Sequence, residues 1–102
     1  MEKNITDRTK VFAIRIIKAC SFLDEKPGIS KTMSERLLCC GTNIGAYVRK
    51  AQAAHDDKEF LYQLEMALGE ERETEYWLEI LIESELVDKN RFEPLLQENK
   101  EI

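Results

Sequence analysis

Residues 30–53 have the sequence SKTMSERLLCCGTNIGAYVRKAQA, and this stretch decides the fold. Its apolar and small residues recur every three or four positions, which is the spacing of one face of an α-helix. They are Met33, Leu37, Cys40, Gly41, Ile44, Val48 and Ala51. Ser30 can cap the first turn, because its hydroxyl can accept a hydrogen bond from a backbone N–H there. The stretch predicts an amphipathic helix over residues 30–53 that turns one stripe toward a core.

Gly41 and Gly45 lie in the middle of this predicted helix, where each costs about 1 kcal/mol relative to Ala. Close approach of a neighbouring helix would offset that cost, since a missing side chain lets two backbones come together. The alternative is that the helix simply tolerates both residues. We expect Gly41, Gly45 and Ala46 to be helix-packing positions.

A first helix is predicted before this stretch, over residues 6–23. Five residues recur on one face of it, and we expect that face to be buried: Phe12, Ile16, Ala19, Cys20 and Leu23. The pair Pro27-Gly28 then requires a turn, because Pro disfavours helix for the residue before it.

A third helix is predicted over residues 57–84, begun by Asp56 and Glu59 in the spacing of a capping box. The apolar residues of this helix fall on two faces. The face expected to join the core contains Phe60, Leu64, Ala67, Leu68, Leu78 and Ile82. The other face contains Tyr62, Met66, Trp77 and Ile80, which should point away from the core of a single subunit.

Glu71 and Glu75 also fall on the expected core side of the third helix, where an unpaired carboxylate is costly. Arg36, Arg49 or Tyr47 of the second helix could pair with them. A small rotation of the helix that leaves both groups at the bundle edge is the alternative.

A short fourth helix follows, with Asp88 and Asn90 as possible N-caps. Pro94 favours Asn90, because Pro is harmless in the first turn of a helix. We therefore predict a helix over residues 90–100. Short connections join antiparallel neighbours. The sequence predicts an all-α, antiparallel up-and-down four-helix bundle that forms a single domain over residues 1–102.

The second apolar face of the third helix suggests that this chain associates with itself. Exposed apolar patches generally mark contact surfaces, and Val11 and Ile14 also lie off the main stripe of the first helix. We expect a homo-oligomer held by Tyr62, Met66, Trp77, Ile80, Val11 and Ile14. A broad core face on a central helix is the alternative.

The net charge of −5 is unevenly distributed along the chain. Residues 1–60 hold 11 Lys and Arg against 8 Asp and Glu, whereas residues 61–102 hold 4 against 12. Such asymmetry is compatible with helices that pair across one bundle, or with the basic surface of one subunit meeting the acidic surface of another. No stretch reaches the roughly 20 apolar residues of a membrane span, so we expect no membrane partner and a cytoplasmic protein. Cys20, Cys39 and Cys40 have no zinc or disulfide spacing, which indicates reduced, partly buried thiols.

No constellation for catalysis or for a metal site is visible in the sequence. His55 is the only histidine, and it is predicted to lie in a surface loop. A di-iron bundle needs two Glu-x-x-His pairs, but Gln52 stands three residues before His55. The clustered glutamates of the third helix point in different directions, so a solvated face is the better interpretation. We expect no enzymatic activity, cofactor or small-molecule substrate.

Two segments together resemble a known family: residues 41–51, GTNIGAYVRKA, and residues 67–78, ALGEERETEYWL. The chain is similar to the bacterial proteins encoded in intervening sequences of 23S ribosomal RNA genes. This resemblance implies a four-helix bundle that forms a ring-shaped homopentamer and has no established activity. It adds Glu70 and Glu73 to the interface candidates and supports Gly45, Ala46 and Arg49 as signature positions.

The resemblance also implies an alternative function. Related accessory proteins of diversity-generating retroelements use the same bundle to bind a reverse transcriptase and nucleic acid. RNA, DNA or a nucleic-acid-binding protein is therefore a second possible partner. The candidate residues are basic: Arg8, Arg15, Lys18, Arg49 and Lys50. The net charge of −5 argues against this function.

Overall fold

The computed structural model describes residues 4–26, 28 and 31–102, and its only regular elements are helices. They are α1 (Ile5–Asp24), α2 (Lys31–Gln52), α3 (Asp57–Glu83) and α4 (Lys89–Glu101). Every predicted helix boundary lies within one residue of the observed one, and the all-α prediction is confirmed. The predicted cap Ser30 and the predicted turn residue Pro27 lie outside the described residues.

Side-chain contacts show that α1 and α2 are antiparallel. The Thr6 hydroxyl near the start of α1 donates a hydrogen bond to Gln52 Oε1 at the end of α2, over 2.6 Å. At the other end, the Ser34 hydroxyl near the start of α2 donates to the carbonyl of Cys20.

The fourth helix closes the bundle by packing between α3 and α1. Arg8, near the start of α1, forms an ion pair with Glu101 at the end of α4. Phe22, near the end of α1, contacts Phe92 near the start of α4. Each helix packs against two neighbours in the order α1, α2, α3, α4 and back to α1, with α1 opposite α3. These contacts confirm an antiparallel up-and-down bundle.

The core combines residues from all four helices and from the loop before α4. Its largest members are fully buried, and most of them come from the predicted stripes of α1 and α2. The core cluster contains Phe12, Ile16, Cys20, Leu23, Leu37, Cys40, Ile44, Leu78, Leu81, Val87, Phe92 and Leu95. A single cluster supplies the bundle with its hydrophobic stabilisation.

The start of α3 has the predicted cap. Asp56 Oδ1 accepts a hydrogen bond from the backbone N–H of Glu59 over 2.8 Å, and Glu59 Oε2 accepts one from the N–H of His55. The arrangement resembles a capping box, except that Glu59 bonds the N–H of His55, one residue before the cap, and not that of Asp56.

The start of α4 differs from the prediction. Asp88, not Asn90, is the N-cap, and its carboxylate accepts a hydrogen bond from the N–H of Asn90. Pro94 therefore lies in the second turn, where it removes one backbone donor. The cost is small because Asn90, whose carbonyl would have received that donor, is exposed to water.

The fourth helix is too short to cover α3. Its 13 residues span about 20 Å, whereas the 27 residues of α3 span about 40 Å. Ala67 and Leu78 are buried as predicted, and Ile82 packs against the core. Phe60, Leu64 and Leu68 are instead 40%, 36% and 46% exposed. The prediction that these three belong to the core is wrong, because no helix lies beside this part of α3 on the α4 side.

Candidate interaction surfaces

The glycines of α2 lie where α1 approaches most closely. A Cβ atom placed on Gly41 would lie 2.9 Å from two side-chain carbons of Ile16, and one on Gly45 would lie 3.2 Å from the Thr9 hydroxyl. Ile16 is fully buried and cannot move away. These distances are the ones that a close approach of α1 to Gly41 and Gly45 requires.

Ala46 has a different position from the two glycines. It is exposed and lines a groove of about 270 Å³ between the outer surfaces of α1 and α2. Lys10 and Arg49 also line this groove. Ala46 therefore does not pack against a neighbouring helix of its own chain in the way that Gly41 does.

The outward side of α3 carries most of the predicted interface residues. Tyr62 is 57% exposed, Glu73 is exposed, and Met66 and Ile80 are half-buried. Tyr76, which was not among the predicted interface residues, is 60% exposed. The sequence signal that could have identified Tyr76 as an interface residue is its position next to Trp77. We call these residues the α3 outer surface.

Two predicted interface residues make contacts within their own subunit. Trp77 packs against the core cluster and contacts the ring of Tyr76 edge-on. The expectation that Trp77 points away from the core is wrong, because its large ring is partly buried and reaches the core cluster. Glu70 accepts a hydrogen bond from the Asn43 amide over 3.2 Å.

The outward side of α1 is also apolar at its centre. Val11 and Ile14 are exposed as predicted, and Ile17, one turn further on, is exposed as well. Lys10 and Lys18 flank them and are exposed. We call these five residues the α1 outer surface. Because α1 and α3 do not pack against each other, the α1 and α3 outer surfaces lie on different sides of the bundle.

Glu71 finds its partner on α4 and not on α2. The Asn99 amide, which is fully buried, donates hydrogen bonds to Glu71 Oε2 over 3.0 Å and to the backbone carbonyl of Glu71 over 3.1 Å. The predicted partners Arg36, Arg49 and Tyr47 do not make this contact. Desolvation raises the pKa of Glu71, and the nearby carboxylate of Glu75 raises it further.

An open groove remains where α4 stops short. Ile44 and Val48 of α2 form its floor, and its walls are Ile5 of α1 and Leu64 and Leu68 of α3. Its volume is about 190 Å³. Phe60 and Leu61 extend the apolar wall toward the start of α3. The groove continues the line of α4.

The predicted nucleic-acid residues do not form one patch. Arg8 and Arg15 form ion pairs with Glu101 and Glu98 of α4. The Lys50 ammonium lies over the ring of Tyr47 on α2, 4.9 Å from its centroid.

Two of the predicted residues, Arg15 and Lys18, lie between α1 and α4 together with two cations that were not predicted, Lys26 and Arg91. The Arg91 guanidinium lies 4.4 Å from the centroid of the Phe22 ring, and the Lys26 ammonium lies 5.4 Å from it. Phe22 and Arg91 line a groove of about 210 Å³ between α1 and α4, and Arg15 and Lys18 line it as well. We call Arg15, Lys18, Lys26 and Arg91 the Phe22 cation cluster.

The three thiols differ in exposure. Cys20 and Cys40 are buried, and desolvation raises the pKa of each to about 11. Cys39 is exposed. His55 is exposed in the loop between α2 and α3, as predicted. Within residues 4–26, 28 and 31–102, no group of three or more His, Cys, Asp or Glu side chains could hold a metal ion.

Across the described helices, none combines the length and the hydropathy that crossing a membrane would demand.

Comparison with known proteins gives one family and a closely similar structure. The sequence model of a family described as 23S rRNA-intervening sequence protein matches residues 1–102. A crystal structure from Bacteroides thetaiotaomicron, described as a protein with unknown function from the S23 ribosomal protein family, superimposes with a TM-score of 0.90. It is 36% identical, and the match covers 96% of this chain and 90% of that one. No curated protein matches the chain.

Proposed function

This chain belongs to the 23S rRNA-intervening sequence protein family, and we propose that it is a non-enzymatic interaction module that assembles with copies of itself. The observation that carries the proposal is the pair of apolar outer surfaces on different sides of the bundle. Exposed aromatic and aliphatic side chains of this kind mark contact surfaces.

The charges of the two surfaces complement each other. Lys10 and Lys18 flank the apolar centre of the α1 outer surface, whereas Glu73 lies within the α3 outer surface. Opposite charges on two patches orient an encounter and disfavour contact between like patches. The α1 outer surface of one copy therefore suits the α3 outer surface of the next.

Contact between two different patches is head-to-tail, and such contacts form a closed ring when the rotation between copies closes. The pentamer implied by the family resemblance is one such ring. Five copies of this 11.9 kDa chain have a mass of about 60 kDa.

Size-exclusion chromatography with light scattering tests the proposal. The wild type is expected to elute as an oligomer, and Ile14→Asp and Tyr76→Asp are each expected to elute as monomers, because each variant keeps only one intact surface. An equimolar mixture of the two variants should form a 1:1 dimer that grows no further. Monomeric wild type at high micromolar concentration would refute self-assembly, and a mixture that stays monomeric would refute the head-to-tail arrangement.

A second candidate function, RNA or DNA binding, is supported by the Phe22 cation cluster. The Phe22 ring holds Arg91 and Lys26 in place, and positioned cations bind phosphates at a lower entropic cost. Arg15 already pairs with Glu98, so binding would rest mainly on Lys18, Lys26 and Arg91 and should weaken as salt rises. Fluorescence anisotropy with single-stranded RNA tests it. Arg91→Glu should weaken binding, whereas Lys50→Glu, on α2, should have little effect. Equal effects of the two variants, or binding that ignores salt, would exclude this site.

A further inference from the structure

Gly69 lies in the middle of the α3 outer surface, three residues after Met66 and four before Glu73. It is exposed, and a Cβ atom placed on it would meet nothing within 4 Å. Glycine weakens the interior of a helix more than any other residue except proline. At Gly41 and Gly45 the close approach of α1 offsets that weakness, but no described residue approaches Gly69 in the same way. The place of this glycine on an exposed apolar surface points to a contact outside the subunit.

The absent side chain leaves a gap in a row of exposed residues. Side chains four positions apart form a ridge along a helix, and Gly69 interrupts the ridge that runs from Glu65 to Glu73. Each glutamate lies about 6 Å from the glycine along the helix axis. Both are exposed, and neither has an ion-pair partner among the described side chains. The α3 outer surface therefore has a small gap with an unpaired negative charge on each side.

The α1 outer surface has the complementary pattern. Ile14 stands at its centre and is 45% exposed. Lys10 and Lys18 lie four residues before it and four residues after it, so each is also about 6 Å away along the helix axis. Both lysines are exposed, and no ion pair within the described part of the chain includes them. An apolar side chain between two positive charges thus matches, in spacing and in sign, a gap between two negative charges.

We propose that Ile14 of one copy inserts into the gap at Gly69 of the next copy, and that the lysines on either side of Ile14 pair with the glutamates on either side of Gly69. This inference rests on the proposed head-to-tail assembly and assigns the point at which its two surfaces meet. Both patterns are symmetric about their centres. Two ion pairs therefore form whether the helices cross in a parallel or an antiparallel sense.

The mixture of the Ile14→Asp and Tyr76→Asp variants tests this contact, because its 1:1 dimer contains a single interface. The Ile14→Asp copy supplies α3, and the Tyr76→Asp copy supplies α1. Gly69→Leu added to the Ile14→Asp copy should weaken the dimer at least about tenfold, because the added side chain fills the gap. The same substitution in the Tyr76→Asp copy is the matched control and should have no effect, because α3 of that copy is not used. Sedimentation equilibrium measures both affinities.

A size exchange tests whether Ile14 is the residue that enters the gap. Ile14→Ala in the Tyr76→Asp copy should weaken the dimer about tenfold, because the gap is left unfilled. Combined with Gly69→Leu in the other copy, it should recover most of the affinity, because the large side chain then projects from the opposite helix. Ile17→Ala, at another exposed position of the α1 outer surface, should show no such recovery. Circular dichroism checks that each variant stays helical.

Charge reversal tests the flanking pairs. Lys18→Glu in the Tyr76→Asp copy should weaken the dimer about fivefold, because it brings like charges together. One of two substitutions in the Ile14→Asp copy, Glu65→Lys or Glu73→Lys, should restore the affinity, and the other should weaken it further. Recovery with Glu73→Lys means that the two helices are parallel, and recovery with Glu65→Lys means that they are antiparallel.

The outcomes separate this contact from the assembly on which it rests. A mixture that stays monomeric would refute the head-to-tail assembly and the contact with it. If the dimer forms, the contact is overturned by equal effects of Gly69→Leu in the two copies, by a size exchange without recovery, or by failure of both charge reversals. In each of these three cases the head-to-tail assembly would stand.

Discussion

The two halves of α3 have similar apolar sequences and different surroundings. In the second half, α2 and α4 both pack against the helix, and Leu78 and Leu81 are buried. In the first half, α4 has ended, and Leu64 and Leu68 remain exposed although they recur at the same helical spacing. The comparison teaches that spacing decides which residues share a face, while the length of the neighbouring helix decides whether that face is buried.

The largest expected effect is a difference between the two halves of α3 in how much a Leu→Ala substitution lowers the free energy of unfolding. Leu78→Ala should lower the free energy of unfolding by about 3 kcal/mol, because it leaves a cavity in a closed core. Leu64→Ala should lower it by less than about 1 kcal/mol, because water already reaches this side chain. Urea denaturation at a concentration where the chain is monomeric measures both values. Equal losses would mean that the first half of α3 is as well buried as the second.

A second comparison concerns two glycines with different neighbours. Gly41→Ala should destabilise the fold by about 1 to 2 kcal/mol, because the clash with Ile16 outweighs the gain in helix propensity. Gly69→Ala is the matched control, since a Cβ there would meet nothing within 4 Å. It should stabilise the fold by about 0.5 to 1 kcal/mol. Thermal unfolding would contradict the close approach of α1 and α2 if both variants changed stability in the same direction.

The boundary between the two halves of α3 should be sensitive to pH through Glu71. Because the folded state raises the pKa of this carboxyl, folding favours the protonated form. Its stabilising contribution is complete below the ordinary pKa of 4.5 and is lost as pH rises through the raised value. Glu71→Gln should therefore be more stable than the wild type near pH 7, by less than about 1 kcal/mol at this partly exposed site.

Denaturation curves recorded from pH 4 to pH 7 measure this difference. The advantage of Glu71→Gln should grow with rising pH. A constant difference across that range would show that the carboxyl is not perturbed.

The smallest expected effect concerns the loop that returns the chain into α4. Glu85 has a φ of 62°, a left-handed conformation that glycine adopts at less cost than other residues. Glu85→Gly should raise the free energy of unfolding by about 0.5 kcal/mol. Glu83→Gly, inside α3, should lower it by a similar or larger amount. A loss of stability in both variants would show that Glu85 makes contacts that offset its conformation.

The helices, their order and the buried stripes of α1 and α2 could be predicted from the sequence. Their signals are local: helical spacing, the Asp56 cap and the Pro27-Gly28 pair. Asn90 was wrongly predicted as the cap of α4, because Pro was expected only in the first turn of a helix. In the structure Asp88 is the cap and Pro94 lies in the second turn. The Asp88 carboxylate, which accepts a hydrogen bond from the backbone N–H of Asn90, fixes the start of the helix.

The tertiary neighbours could not be predicted in the same way. The core assignment of Phe60 and Leu64 rested on helical spacing alone and did not consider that the short α4 leaves this part of α3 uncovered. The partner of Glu71 was sought on α2, the preceding helix along the chain, whereas the structure supplies Asn99 of α4. Trp77 was placed on the outward face by its angle alone, yet a ring of that size reaches the core from the side of a helix. Spacing carries no information on side-chain reach or on where a neighbouring helix stops.

The adjacent residues Cys39 and Cys40 give the folded chain one reactive sulfur and one protected sulfur side by side. A maleimide dye should attach to the folded protein at a single site on the outer surface of α2, with no engineered cysteine. Denaturation should then release the two shielded thiols, Cys20 and Cys40, to the same reagent. The number of labels per chain therefore reports the fraction of unfolded molecules. Circular dichroism gives only one signal, to which all four helices contribute.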